Sequence, residues 1–388
     1  MRKIRNVMII GILGVLLFGH TVSAEEIGQE INLIEDATSG ILIEQDTGTI
    51  LYDKNAHEQL APASMTKIMT LLLVMESLEK GDIAKEDVVI VSEKAASMGG
   101  SQIFLEAGEE MTVNDLLKGV AVASGNDASV ALAEKIAGSE EAFVNKMNEK
   151  AKELNLKNTL FQNTTGLPEE NHYSSAYDMG VMANELLKHE SITEYTSIYE
   201  DYLRQGKDNE FWLVNTNKLV RFYKGADGLK TGYTSEAKYC LTATAQRDDM
   251  RVIAVVMGAE SPKERNRMVT ELLDYAFHSY ETNPLFSKGE KVTEVDLLKA
   301  DQSTIDIVTD HSVSTLHKKG DKEKDISTEV KLQESWTFPV KKGDEVGKLI
   351  IKDGDTIISE VPLTVSKNIE KASFSDLMKR SLQELVKH

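Results

Sequence analysis

The chain has 388 residues, 41% of them hydrophobic and 28% charged, which is enough apolar material for one large core and a second small one. A formal charge of -19 and a pI near 5.0 exclude a polyanion-binding role, because phosphate recognition needs Lys and Arg clusters, so nucleic acid is not an expected partner. One cysteine rules out an internal disulfide, and the 8 histidines show no zinc-ligand spacing, so neither a metal nor another cofactor is expected.

Residues 1–24 read as a secretory signal, with Arg2, Lys3 and Arg5 ahead of an apolar run over 7–18 and a small-residue cleavage site at Val22-Ser23-Ala24. The apolar run is shorter than the roughly 20 residues that cross a bilayer, so export and removal are expected, not a permanent span. Removal takes the charge to -22 (-19 - 3).

A first domain is expected over 25–282. Residues 40–52 alternate apolar and polar around Asp46-Thr47-Gly48, the pattern of a hairpin. Residues 65–78 are apolar on nearly every side and stop at Gly81, so the spacing predicts a helix inside the domain. Helical patterns follow near 113–118, 128–137, 140–154 and 175–187, and strands return over 232–256. Cys240 lies in the apolar stretch 239–245 and reads as a buried, inert thiol. Residues 265–275 are expected to close the sheet as a helix. The order is sheet, helical insertion, sheet, an α/β (α+β) arrangement.

Short alternating segments with charged turns at 318–324, 341–344 and 352–355 predict a small all-β domain over 283–367. The segment 368–388 is two-faced. Phe374, Leu377, Met378, Leu382, Leu385 and Val386 share about half of a helical circumference, opposite most of the charges, and Ser373 supplies a cap for Asp376. Such a terminal helix suits a membrane surface, or docks on its own β domain or on a partner helix.

Three short motifs carry the chemistry. Ser64-Met65-Thr66-Lys67 opens the apolar helix after Pro62, placing Lys67 one turn beyond Ser64 on the same side. A serine there can attack a carbonyl, and Lys67 can take its proton only if that lysine is neutral, which burial and a second cation would favour. Lys230-Thr231-Gly232 supplies the cation, with Thr231 to bond a carboxylate and Gly232 to let the backbone approach a ligand. Ser124-Gly125-Asn126 offers a hydroxyl for proton relay and an amide to hold substrate. The spacing alone is weak, since Ser77 with Lys80 and Ser235 with Lys238 repeat the first motif and Ser366 with Asn368 the second. Order and context select one combination, because only Ser64 heads a buried helix and only Lys230-Thr231-Gly232 enters a strand.

With these motifs the chain resembles the low-molecular-mass penicillin-binding proteins, the D-alanyl-D-alanine carboxypeptidases, from about residue 37 onward. Ala61-Pro62-Ala63-Ser64, Asn163-Thr164-Thr165-Gly166-Leu167-Pro168 and Asp227-Gly228-Leu229-Lys230 share in the resemblance. It implies a DD-peptidase/β-lactamase-like domain followed by a small β domain and an amphipathic helix. By the same resemblance Ser64 is acylated, Lys67 is the base, and Ser124 with Asn126 forms the second motif. Lys230 and Thr231 would bind the terminal carboxylate, and the N–H groups of Ser64 and Tyr233 would form the oxyanion hole. Arg265 would position the carboxylate or the closing helix, or make a plain surface salt bridge. Tyr233 stands where the family often has histidine, and Arg221 is given no role.

The implied partners are peptidoglycan pentapeptides ending in D-Ala-D-Ala, β-lactam antibiotics and the membrane surface, and the implied place is the outer face of the cytoplasmic membrane. A serine β-lactamase uses the same motifs, but its deacylating glutamate would fall at position 151, which is Ala151, and Glu153 reads as an exposed helix residue. A non-catalytic wall-binding or scaffolding protein is the alternative of another class.

Overall fold

Side-chain alternation along the strand Ser39–Glu44 divides the first part of the molecule into two layers of core. Ile41 and Ile43 face one cluster and Leu42 the other, and Met250–Ala259 repeats the division, with Ile253, Val255 and Met257 on one side and Val252, Ala254 and Val256 on the other. A strand buried on both faces needs a cover on each. The computed structural model, which describes residues 32–322, 325–375, 377, 378 and 380, supplies both. The sheet runs Ile50–Lys54, Ser39–Glu44, Met250–Ala259, Lys238–Arg247, Ala226–Thr234, every pair antiparallel.

The closing helix, Pro262–Ser279, covers one face. Ser261 caps it by accepting the Glu264 N–H, and Pro262 occupies a position whose own N–H would have no partner. Met268, Val269, Leu272, Leu273 and Ala276 fall on its buried side. The helical insertion covers the other face, with Lys67–Lys80 at its centre against Val113–Ala121, Asn126–Ala137, Glu140–Glu153 and Ala176–Leu187. The apolar helix is buried as its composition requires, and Gly81 ends it at φ 75.

Its start differs from expectation. The α-helix begins at Lys67, and Ser64 lies on a preceding 3-10 turn, Ala63–Thr66. Ala63 is left-handed at φ 47, a conformation no α-helix continues, so the chain enters through the tighter turn. Two short ribbons were not anticipated: Val88–Ile90 with Glu110–Thr112, and Glu200–Leu203 with Phe211–Val214. Strands of three or four residues are too short to show a period.

The strand Tyr280–Phe286 follows the closing helix directly and pairs with Val313–Lys318. The second sheet runs Lys291–Asp296, Thr304–Thr309, Thr356–Val365, Glu345–Asp353, Ile326–Leu332, over a core that includes Ile305, Ile307, Leu349, Ile351, Leu363 and Val365. The signal segment 1–24 lies outside the described residues, as do 376, 379 and 381–388 of the segment expected to form the amphipathic helix. Among the described residues, no helix is long and apolar enough to cross a membrane.

Candidate active site

Lys67 is the first residue of the central helix, and its side chain is wholly buried. Its Nζ donates to Asn126 Oδ1 at 2.6 Å and to the Thr165 carbonyl at 2.7 Å, and lies 3.1 Å from Ser64 Oγ. Burial, and then the positive charge of Lys230, hold its pKa well below the ordinary lysine range, with Asp127 opposing. An uncharged amine has two hydrogens and one lone pair. Once the amine has given up its proton, which its depressed pKa favours, Asn126 and Thr165 can take both remaining hydrogens and leave the lone pair for the Ser64 hydroxyl. The serine–lysine pair expected from spacing is thus assembled, with two further partners from distant parts of the chain.

Those partners are themselves fixed. Asn126 opens the helix Asn126–Ala137, its N–H donates to the Ser101 carbonyl at 2.7 Å, and its Nδ2 donates to the Gly99 carbonyl at 2.6 Å. Asp127 beside it is buried and accepts from the N–H groups of Ile103, Leu105 and Ala128. The Asn163–Gly166 segment lies beneath the serine turn, with the Thr164 carbonyl on Thr70 Oγ1 at 2.8 Å and Asn163 Oδ1 accepting from the Thr165 and Gly166 N–H groups. That stretch was legible only through resemblance. Its geometry gives it a physical role: Thr165 orients the lysine.

Ser124 is left-handed at φ 64, and its buried Oγ has no hydrogen-bond partner. A buried unpaired hydroxyl is costly and marks a place for a ligand atom or a proton in transit.

Lys230, Thr231, Gly232 and Tyr233 lie on Ala226–Thr234, the edge strand, which pairs only with Lys238–Arg247 within its sheet. Lys230 is buried and its Nζ donates to the Thr231 carbonyl at 3.0 Å. Burial, and then Arg265, push its pKa down to about 7. Thr231 Oγ1 donates to Thr216 Oγ1 at 2.8 Å. The fold gives Gly232 a packing reason of its own: a β-carbon there would sit 2.8 Å from the Pro62 carbonyl oxygen and 3.2 Å from Ala63 Cβ, so it lets the edge strand press against the serine turn. Tyr233 is 54% exposed and stacks on Tyr239, with centroids 4.4 Å apart.

Arg265 is buried, which removes the surface salt bridge from consideration. Its guanidinium donates to Asn266 Oδ1 at 2.9 and 3.1 Å and lies near enough to Lys230 to depress that amine. Arg221 instead stacks over the Tyr199 ring. Cys240 is buried, and desolvation pushes its thiol up to about 11, the inert state expected. Glu153 is exposed and paired with Lys150 at 2.7 Å, and Ala151 is buried. Among the described residues no carboxylate hydrogen-bonds to Ser64 or Lys67.

Sequence reasoning missed Thr165, Asp127, Thr216 and His172, whose Nε2 lies 2.8 Å from Thr66 Oγ1. Asp127 adjoins Asn126 and was within reach of a closer reading. Thr216 carries no local signal at all.

The D-alanyl-D-alanine carboxypeptidase family model matches residues 26–261, and the model of the penicillin-binding protein 5 C-terminal domain matches residues 280–371. The chain is 54% identical to the D-alanyl-D-alanine carboxypeptidase DacF of Bacillus subtilis (strain 168) over 388 residues, 100% of both chains. The crystal structure of penicillin binding protein 5 from Haemophilus influenzae superposes with a TM-score of 0.67 at 30% identity, covering 86% of this chain and 98% of that one. Penicillin-binding protein D2 from Listeria monocytogenes, in its ampicillin-bound form, does so at 0.55 and 28% identity, covering 63% and 99%. Similar to these proteins in sequence and in fold, the chain belongs to the D-alanyl-D-alanine carboxypeptidase family.

Proposed function

We propose that this serine-type D-alanyl-D-alanine carboxypeptidase removes the terminal D-alanine of peptidoglycan stem peptides through an acyl-enzyme on Ser64. The observation that carries the assignment is the buried, triply engaged Lys67 beside that hydroxyl, its pKa held well below the ordinary lysine range. Lys230, Thr231 and Arg265 draw the substrate carboxylate to the edge strand, and Asn126 holds the peptide backbone.

Ser64 Oγ attacks the carbonyl between the two D-alanines while Lys67 takes its proton. The oxyanion forms against the N–H groups of Ser64 and Tyr233. Ser124 passes a proton to the leaving amine and is reprotonated by Lys67, the C–N bond breaks, and D-alanine departs. Water, giving a proton to Lys67, then adds to the ester, and as the bond to Ser64 Oγ breaks Lys67 returns that proton to it, restoring the hydroxyl and the free amine.

β-Lactams acylate the same serine in this reading, supported by the ampicillin-bound relative. Absence of a carboxylate bonded to Ser64 or Lys67 among the described residues favours a long-lived adduct over the rapid turnover of a β-lactamase. The enzyme works outside the cytoplasm, exported by residues 1–24 and held at the outer face of the cytoplasmic membrane by the C-terminal segment. Exposed Phe374 and Met378 support that attachment, while Arg380 between them and the chain end donates to the carbonyls of Ala300 and Asp301.

The test is intact-mass measurement of the protein and its Ser64→Ala variant with benzylpenicillin, and separately with a D-alanyl-D-alanine peptide. A persistent adduct confined to the wild type, with released D-alanine, is expected. Rapid loss of the adduct without D-alanine release would mean a β-lactamase. Neither signal from folded protein would mean a non-catalytic wall protein.

A further inference from the structure

Glu140 is a buried carboxylate that no step of the mechanism uses. It is the first residue of the helix Glu140–Glu153, but Ser139 already caps that helix by accepting the Ala142 N–H at 3.1 Å, so the Glu140 side chain is free to reach sideways. Its Oε1 accepts the Thr164 N–H at 3.2 Å and the Thr164 hydroxyl at 3.0 Å, and its Oε2 lies 2.7 Å from Lys94 Nζ. The Thr164 carbonyl accepts from Thr70 on the central helix. Thr164 is thus wholly buried and bonded through every polar atom it has.

Thr165, the next residue, presents its carbonyl to Lys67. Asn163 braces this segment from within, through the Thr165 and Gly166 N–H groups, whereas Glu140 and Thr70 tie it to the rest of the fold. Lys94 lies on the short helix Glu93–Ala96, and the chain leaving that helix runs directly to Gly99 and Ser101, whose carbonyls hold Asn126. Lys67 donates to both Asn126 and Thr165. One acceptor is fixed from the Lys94 side and the other from the Glu140 side, and the ion pair closes the circuit between them. The Lys94 side chain is 55% exposed, so the ion pair itself contributes little. The two bonds to Thr164 matter more, because without them a buried N–H and a buried hydroxyl are left unpaired.

We propose that Glu140, steadied by Lys94, is a positioning residue for the lysine base, holding Thr164 so that the adjoining Thr165 carbonyl stays on Lys67 Nζ. The proposal rests on the Ser64 acyl-enzyme reading, in which Lys67 moves a proton in both acylation and deacylation. With the carbonyl loose, the amine loses a fixed acceptor and its lone pair points at Ser64 for a smaller share of the time. Both steps then slow together, while Lys230 and Thr231, which draw the substrate carboxylate, are untouched.

The test measures the rate constant and final stoichiometry of acylation by benzylpenicillin, together with kcat and KM for a D-alanyl-D-alanine peptide. Glu140→Ala should lower the acylation rate constant and kcat together by about 30-fold, with KM within about twofold and the adduct still reaching one per molecule. Glu140→Gln keeps an acceptor for Thr164 and should recover acylation to within about fivefold of wild type, and Lys94→Met, which leaves the Thr164 bonds in place, to within about threefold. Met147→Ala opens a cavity under the same helix and should lower the melting temperature, yet leave the rate constant of folded protein within about twofold of wild type. Thr164→Val removes the hydroxyl bond alone at constant shape and should cost about fivefold, which decides the matter if Glu140→Ala does not fold. A wild-type rate constant in Glu140→Ala or in Thr164→Val overturns the proposal. So does a loss confined to the amount of adduct, as a purely structural role would give, or an equal loss in Glu140→Gln and Glu140→Ala. No adduct on wild type would overturn the Ser64 reading and the positioning role with it.

Discussion

Gly166 passes so close to Ala63 that a β-carbon on it would sit 1.8 Å from the Ala63 carbonyl oxygen, and its own φ is 82. Ala63 immediately precedes Ser64, so the contact sets the height of the nucleophile above its floor. Gly166→Ala should cost about 3 kcal/mol or more and remove most penicillin acylation, since both the backbone angle and the clash oppose it. Gly48→Ala is the control: its φ is 66 but nothing lies within 4 Å of the added carbon. That variant should lose about 1 kcal/mol and acylate normally. Equal melting temperatures and acylation rates for the two variants would refute the argument.

The cations of the site predict a bell-shaped pH profile. Lys67 works uncharged, so kcat/KM should fall as pH drops through its depressed pKa. Lys230, at about 7, loses its charge as pH rises, and with it the attraction for the substrate carboxylate, so kcat/KM should fall on the alkaline side too. Arg265→Met removes the positive neighbour that helps depress Lys230, and should therefore move the alkaline limb to higher pH whatever it does to the maximum rate. A limb that stays in place or moves down would refute the coupling.

His172 predicts a loss of stability in acid. Its Nδ1 accepts the Gln162 N–H at 3.1 Å, so the ring proton sits on Nε2 and is donated to Thr66, and burial pushes the pKa down to about 4 from the ordinary histidine value of 6.5. Below pH 6.5 the unfolded chain takes up a proton that the folded one refuses, so stability declines from pH 6.5 to pH 4, by about 3 kcal/mol at most from this group. Urea unfolding at pH 7 and pH 4.5 should show a drop that is smaller in His172→Gln. The same drop in both proteins would assign it elsewhere.

Much of the fold was readable because its elements are long and strongly patterned. The apolar helix at 65–78 could be nothing but interior, and the strands that end in Val252–Met257 alternate cleanly between two cores. The ribbon that carries Phe211 was invisible, because four residues do not establish a period and its pairing partner, Glu200–Leu203, is equally short. Gly232 was singled out for a ligand's approach, and the fold adds a second close neighbour. A glycine says that something comes close, and only the packed structure shows that it is the Pro62 carbonyl.

Within the site, the sequence by itself determined the candidate groups and the class of chemistry they suit: a serine and a lysine one turn apart at the head of a buried helix, a second serine with an asparagine, and a lysine entering a strand. Those are local facts, carried by spacing and composition. The tertiary structure alone decided that the pKa of Lys67 is held well below the ordinary lysine range, and that Thr165 and Asn126 accept from its amine. Desolvation, cation–cation repulsion and hydrogen-bond partners 59 and 98 residues away are properties of the folded volume, and no window along the chain contains them.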